Sequence, residues 1–196
     1  NFKIGSGKKS DLVWWQVFTQ IYNEFIKAAK FIQNKPHSWL VVQEQWERAD
    51  RLKRVTPQLE RELDRWRHAP DHRYRTTYRS LSVNTPENRF FKYAVEQVAR
   101  KFGTIQALVT KAYGPNLSAE YQEELTAVAK ALGAIRSHPL FRSVGPFAGW
   151  RQESLVLQRA TGYSTIYKNW IMLQRGINLL EDLQRMETKN MADLYQ

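Results

Sequence analysis

Asn84-Thr85-Pro86-Glu87-Asn88-Arg89-Phe90-Phe91-Lys92 is the stretch on which the fold turns, because it reads as the first turn of a buried helix. Thr85 is suited to be the N-cap, accepting from a backbone N–H that has no partner inside the helix. Pro86 follows at the first helical position, where its missing N–H costs nothing. Glu87 sets a negative charge beside the positive end of the helix dipole. Phe91, Val95, Val98, Phe102 and Ile105 then recur at spacings of four, three, four and three, which lines up one apolar face. Asn88 and Arg89 are not required for a helix to start here, so they are the first candidates for a role beyond helix formation.

Working outward, the chain of 196 residues is long enough to bury a substantial core. An apolar content of 42% with 7 Trp, 9 Tyr and 9 Phe excludes a disordered chain. Lys and Arg total 30 against 19 Asp and Glu, a net charge of +11 that favours polyanionic partners such as nucleic acid. There is no cysteine, which removes disulfides and thiolate metal sites and fits a reducing, cytoplasmic setting. No apolar run approaches a membrane span, and no membrane partner is expected.

Toward the N-terminus, Lys3–Ser10 has a passing likeness to a phosphate loop. Its glycines are one residue apart, no strand precedes them and Lys9 rather than Ser or Thr follows Lys8, so a polar lead-in is the better reading. Ser10 or Asp11 can cap a first helix with Trp14, Val17, Phe18, Ile21, Phe25, Ala28 and Ile32 on one face. After Asn34-Lys35-Pro36, a second helix starting at Ser38 is expected to carry Trp39, Val42, Trp46, Ala49 and Leu52. The two would form an antiparallel helical hairpin. Thr56-Pro57 repeats the cap-then-proline pattern for a third helix, with Leu59, Leu63 and Trp66 at helical spacing.

Toward the C-terminus, Ser118 can cap a helix with Leu125, Val128, Leu132 and Ile135 inward. A short helix follows over 154–160, and then a long one from about Ser164 with Ile166, Trp170, Leu173, Ile177 and Leu180 inside. Only Tyr74–Val83 has alternation that competes with a helical reading. The expected fold is therefore all-α, a bundle of six or seven helices in a single domain over 1–196. Residues 1–66 hold the hairpin and third helix, 67–84 a basic aromatic linker, and 85–196 a further helical region.

Candidate chemistry is sparse. Glu187-Thr188-Lys189 has a bare Glu-x-Lys form but no second acid beside it, and His68 and His72 are separated by Pro70 with no third ligand, so no catalytic or metal site is assigned. Arg65–Arg79 is the more promising segment, with five Arg, Trp66, Tyr74 and Tyr78 against one acid, Asp71. Arg65, Arg67, Arg73, Arg75 and Arg79 could bind phosphate while the aromatic rings stack on bases. The alternative is that the aromatics are core and the arginines merely solvated or paired with carboxylates.

Thr85-Pro86-Glu87-Asn88-Arg89-Phe90-Phe91-Lys92 resembles the T-P-E-N-R-hydrophobic-x-K signature of McrC-type restriction subunits and their uncharacterised relatives. Leu157-Gln158 with Gly162-Tyr163-Ser164-Thr165-Ile166-Tyr167-Lys168-Asn169-Trp170 is similar to an L-Q…G-Y-x-x-I-Y-x-x-W segment of the same relatives. Met191-Ala192-Asp193-Leu194-Tyr195-Gln196 resembles the lead into their nuclease domain. The three matches fall in the same order over about residues 84 to 196. The resemblance implies a bacterial antiviral restriction system in which an AAA+ NTPase ring is coupled to DNA cleavage by a PD-(D/E)XK domain after this region. On that reading the chain is a non-catalytic helical module that carries no cofactor, the Mg²⁺ belonging to the nuclease domain beyond Gln196. Thr85, Pro86, Glu87, Asn88, Arg89 and Lys92 would then form a structural or partner-facing motif. A stand-alone basic helical module that binds DNA or protein is the competing expectation.

Overall fold

The computed structural model describes residues 8–113, 117–150 and 154–175, with side chains from Thr19 onward except at 108, 112 and 113. It divides into two compact units, one of Asn1–His37 with Asn84–Gln196 and one of Ser38–Val83.

The first unit is helical. Helix α1 (Lys8–Asn34) runs through Ser10 and Asp11, the expected caps, and buries Tyr22, Phe25, Ala29 and Ile32. Helix α3 (Pro86–Tyr113) buries Phe91, Val95, Val98, Phe102 and Ile105, the face that the spacing predicts. Helix α4 (Ala119–Arg136) packs on α3 and α1 through Leu125, Val128, Leu132 and Ile135. A 3-10 turn (Pro139–Arg142), the short helix α5 (Leu155–Arg159) and a final helix α6 over residues 163–175 complete it. These apolar faces close into one core to which Leu157, Tyr163, Ile166 and Leu173 also contribute. Burial of side chains this size, at roughly 1.5–3 kcal/mol each, is what holds the helices together.

Between α5 and α6 the chain turns at Gly162, whose φ of +86° suits glycine. A Cβ there would lie 2.9 Å from Phe31 Cδ1 and 3.1 Å from Ile32 Cγ1, so the missing side chain also lets this turn press against α1.

The second unit overturns the all-α expectation. Trp39–Arg48 is a strand, β1, rather than the second helix of a hairpin, and it pairs antiparallel with β2 (Arg73–Ser82) from Trp39↔Ser82 to Arg48↔Arg73. The protein is mostly helical with a two-stranded antiparallel sheet. Trp39, Val42 and Trp46 are spaced as on a helix face, yet the run Trp39-Leu40-Val41-Val42 is β-branched and aromatic, and cross-strand pairing rewards that composition. Residues of the expected basic linker supply the partner strand. The third helix forms as α2 (Pro57–Arg65), with Thr56 Oγ1 accepting from Leu59 N–H at 3.3 Å and Pro57 opening the helix. Leu59 of α2 and Tyr74 of β2 are the buried residues of this unit, and Tyr74 meets the His72 ring edge-on while His72 stacks on Trp66 at 4.5 Å.

Several expectations fall outside the described residues. They are the lead-in over 1–7, the side chains of Trp14, Val17 and Phe18, Ile177, Leu180, the Glu187–Lys189 triplet and the 191–196 segment.

Candidate nucleic-acid interface

The motif that opens α3 is consumed inside the helical unit. Thr85 is fully buried and its Oγ1 accepts from Asn88 N–H at 3.2 Å, while its carbonyl accepts from Arg89 N–H at 3.0 Å. Asn88, also fully buried, donates from Nδ2 to the His37 carbonyl at 2.8 Å and accepts on Oδ1 from the Tyr163 hydroxyl. The same Tyr163 oxygen accepts from His37 N–H at 2.8 Å. One asparagine and one tyrosine thus join the end of α1 to the first residue of α6 through the start of α3.

Arg89 Nε donates to Asn84 Oδ1 at 2.8 Å, and Gly145 N–H reaches the same oxygen at 3.0 Å. One turn on, Lys92 Nζ donates to the carbonyls of Phe141 and Val144, both at 2.9 Å, and so pins the end of the 3-10 turn. Charge-assisted bonds to buried carbonyls of this kind are the stronger class. Pro86 stands at N1, where it costs α3 no hydrogen bond.

Glu87 completes the hub. Its Oε1 accepts from Ser154 Oγ–H at 2.6 Å, and its Oε2 lies 3.5 Å from His37 Nδ1. Burial alone pushes this carboxyl up. Hydrogen bonds from Ser154, its own backbone N–H and Thr85, with the nearby His37, outweigh burial and hold it below the ordinary carboxylate range. Burial also pushes the Tyr163 hydroxyl up to about 12. Most of the polar atoms of the hub are thus used in holding one another.

The ribbon of β1 and β2 is built the opposite way. Because successive side chains alternate between faces, the register places Leu40, Val42, Glu44, Trp46 and Arg48 on one face with Leu81, Arg79, Thr77, Arg75 and Arg73 opposite them in turn. That whole face is exposed: Trp46 is 62% accessible, Val42 63% and Leu81 72%. The arginines at 73, 75 and 79 therefore share one surface. Arg75 is hydrogen-bonded to Glu44, and Arg48 lies 3.7–3.8 Å from Asp71 and Asp50. All of these pairs are exposed and contribute little to stability. Arg48 and Arg73 stand directly opposite each other, with the two carboxylates beside Arg48 offsetting that like-charge pairing.

Arg65 and Arg67 are brought elsewhere. Arg65 ends α2, and Arg67 lies in the turn after it, 3.2 Å from Asp64. His68 is in the same turn, and among the described residues no three His, Asp or Glu side chains gather as a metal site would require. Trp46 and Arg48 were not marked by sequence reasoning, which placed Trp46 in a helix core. Their signal was the alternation Leu40, Val42, Glu44, Trp46, Arg48 set against Arg73, Arg75, Thr77, Arg79, Leu81. For the hub, nothing local in the sequence pointed to His37 or Ser154 as partners.

A family model described as "Domain of unknown function (DUF2357)" matches residues 2–170. The chain belongs to this family. No curated protein and no solved structure matches it. The DUF2357 match spans both the helical hub and the ribbon, so the two units fall within one family domain. Among the described residues, no helix of this DUF2357 chain is long and apolar enough to cross a membrane.

Proposed function

We propose that this chain is a non-catalytic module of an McrC-like restriction endonuclease, working in the cytoplasm between a nuclease domain and an AAA+ NTPase partner, and that its β-ribbon contacts DNA. The observation that carries the DNA contact is the exposed row of Arg73, Arg75 and Arg79 on one ribbon face. Each can meet phosphate through a planar, always-charged guanidinium. Arg65 and Arg67 lie outside that row and add charge from the neighbouring turn. The McrC-like assignment rests on the resemblance of the motif beginning at Thr85 and of the segment around Gly162-Tyr163. Thr85, Pro86, Glu87, Asn88, Arg89 and Lys92 serve as the internal frame, since Thr85, Glu87, Asn88, Arg89 and Lys92 each make a side-chain hydrogen bond within the helical unit. Metal-dependent cutting is left to a separate PD-(D/E)XK domain, and Mg²⁺ with it.

The test is titration of the intact chain into a fluorescein-labelled DNA duplex bearing a single-stranded overhang. For three neutralised phosphates, affinity should fall about 20- to 40-fold between 50 and 200 mM salt, from a slope of about 0.7–0.9 per phosphate. The triple variant Arg73→Gln, Arg75→Gln, Arg79→Gln should flatten that dependence. Unchanged affinity and slope in the triple variant would remove the ribbon from DNA binding. The endonuclease reading is tested by co-purifying the full-length protein with a genetically adjacent AAA+ NTPase. Mg²⁺-dependent cleavage by the purified chain, lost in Glu187→Ala, would sink the non-catalytic assignment.

A further inference from the structure

The exposed ribbon face mixes two kinds of side chain that seldom share an open surface. Rung by rung it carries Leu40 with Leu81, Val42 with Arg79, Glu44 with Thr77, Trp46 with Arg75, and Arg48 with Arg73. Two of these rungs set an accessible apolar group directly beside an arginine. Neighbouring rungs on one face lie about 6.8 Å apart, two residues at about 3.4 Å each. That interval is close to the separation of successive phosphates along an extended, unstacked nucleic acid strand.

Duplex DNA would use only half of this surface. Its base faces are stacked inside, and the protein meets phosphates, sugars and base edges. A tryptophan left 62% open on the same face as an arginine row gains little from such a ligand. A single strand presents flat base faces and phosphates together, and an aromatic side chain flanked by cations is the arrangement that holds one without regard to sequence. Glu44 is the one acid on the face and is engaged by Arg75, so a phosphate held by Arg75 would take the place of this exposed ion pair.

We infer that the ribbon face is a binding strip for single-stranded nucleic acid, with a base stacked on Trp46 and phosphates held by Arg73, Arg75 and Arg79. This rests on the DNA-contact reading above and specifies its ligand. Arg75 shares the Trp46 rung and Arg73 stands one rung beyond it, while Arg79 lies two rungs the other way, so a base on the indole has cations on its own rung and on the next rung toward Arg48.

The experiment uses the intact chain in fluorescence anisotropy with labelled dT20, rU20 and a 20-base-pair duplex at matched salt. The single strands should bind at least tenfold more tightly than the duplex. Trp46→Ala should weaken single-strand binding about 5- to 150-fold and leave duplex binding within twofold, from the usual size of base–aromatic stacking. Trp46→Phe should restore most of the loss, which a folding defect would not allow. Equal affinity for duplex and single strand, or a Trp46→Ala variant that binds dT20 as the parent does, overturns the single-strand inference while leaving a general polyanion contact standing. No binding of the parent chain to any of the three probes fails the DNA-contact reading itself. A preference for rU20 over dT20 would assign the strand as RNA and still support the strip.

Discussion

Asn88→Ala is the substitution that most directly tests how the helical unit is held. Asn88 is fully buried and makes two side-chain bonds to groups distant in the chain, the His37 carbonyl at 2.8 Å and the Tyr163 hydroxyl. Truncation leaves the part-buried carbonyl without that donor and the buried hydroxyl proton without that acceptor. Each buried polar group left unsatisfied costs about 1–3 kcal/mol, so with two such groups the variant should lose about 2–6 kcal/mol. For a chain of this size 1 kcal/mol corresponds to about 2–4 °C in Tm, so a loss of 3 kcal/mol lowers Tm by about 6–12 °C. Urea unfolding followed by far-ultraviolet circular dichroism measures the first quantity, and a thermal scan the second. Tyr163→Phe removes the acceptor of His37 N–H as well, and should also accelerate exchange of that amide. Because the two residues share a bond, the double variant should lose less than the sum of the singles, by about 0.5–3 kcal/mol. A loss below about 0.5 kcal/mol for Asn88→Ala, or strict additivity with Tyr163→Phe, would refute the hub as a source of stability.

Two further outcomes follow from the same unit. Gly162→Ala combines a left-handed backbone with a Cβ placed 2.9 Å from Phe31, and should cost about 2–4 kcal/mol; Gly149→Ala, at φ +93° with nothing within 4 Å, should cost only the backbone strain of about 1–2 kcal/mol, and equal losses in urea unfolding would deny the close approach. With its carboxyl held below the reference value of 4.5, Glu87 contributes stability above that pH and loses it as pH falls toward the lower folded value. The Tyr163 hydroxyl, raised from 10.0 to about 12, contributes stability that is lost as pH rises between those values. Glu87→Gln should flatten the acid limb of a stability–pH curve and Tyr163→Phe the alkaline limb, and curves parallel to the parent's would contradict both.

The helical unit was legible because its core signal is local. Phe91 to Ile105 on α3 and Leu125 to Ile135 on α4 are spaced so that each sequence window shows the buried face. The caps at Thr56 and Thr85 were equally readable, since each acts on a backbone N–H three residues ahead. β1 was misread because Trp39, Val42 and Trp46 fit a helical spacing, and because neither face of β1 is fully buried, leaving no clean apolar-polar alternation. What decides it is pairing with residues such as Tyr78, 35 positions away from Gln43. The same distance hid the hub. Asn88 was visible as a residue a helix start did not need, but its partners lie 51 and 75 positions off, and no local pattern encodes them.

The hub has one more consequence, at the two points where the chain leaves and rejoins the helical unit. His37 and Asn84, both gripped by hub side chains, are the residues between which Ser38–Val83 leaves and rejoins the helical unit, and the first rung, Trp39 with Ser82, forms two residues inside them. A two-stranded ribbon is marginal when its ends are free. Anchoring both ends removes a loop-closure penalty of about 3 kcal/mol for a segment of this length, so the strands can zip from the anchored end outward. Order in the ribbon is thereby borrowed from hydrogen bonds made elsewhere in the chain, and loosening Asn88 or Arg89 should melt the ribbon before it unfolds the helices.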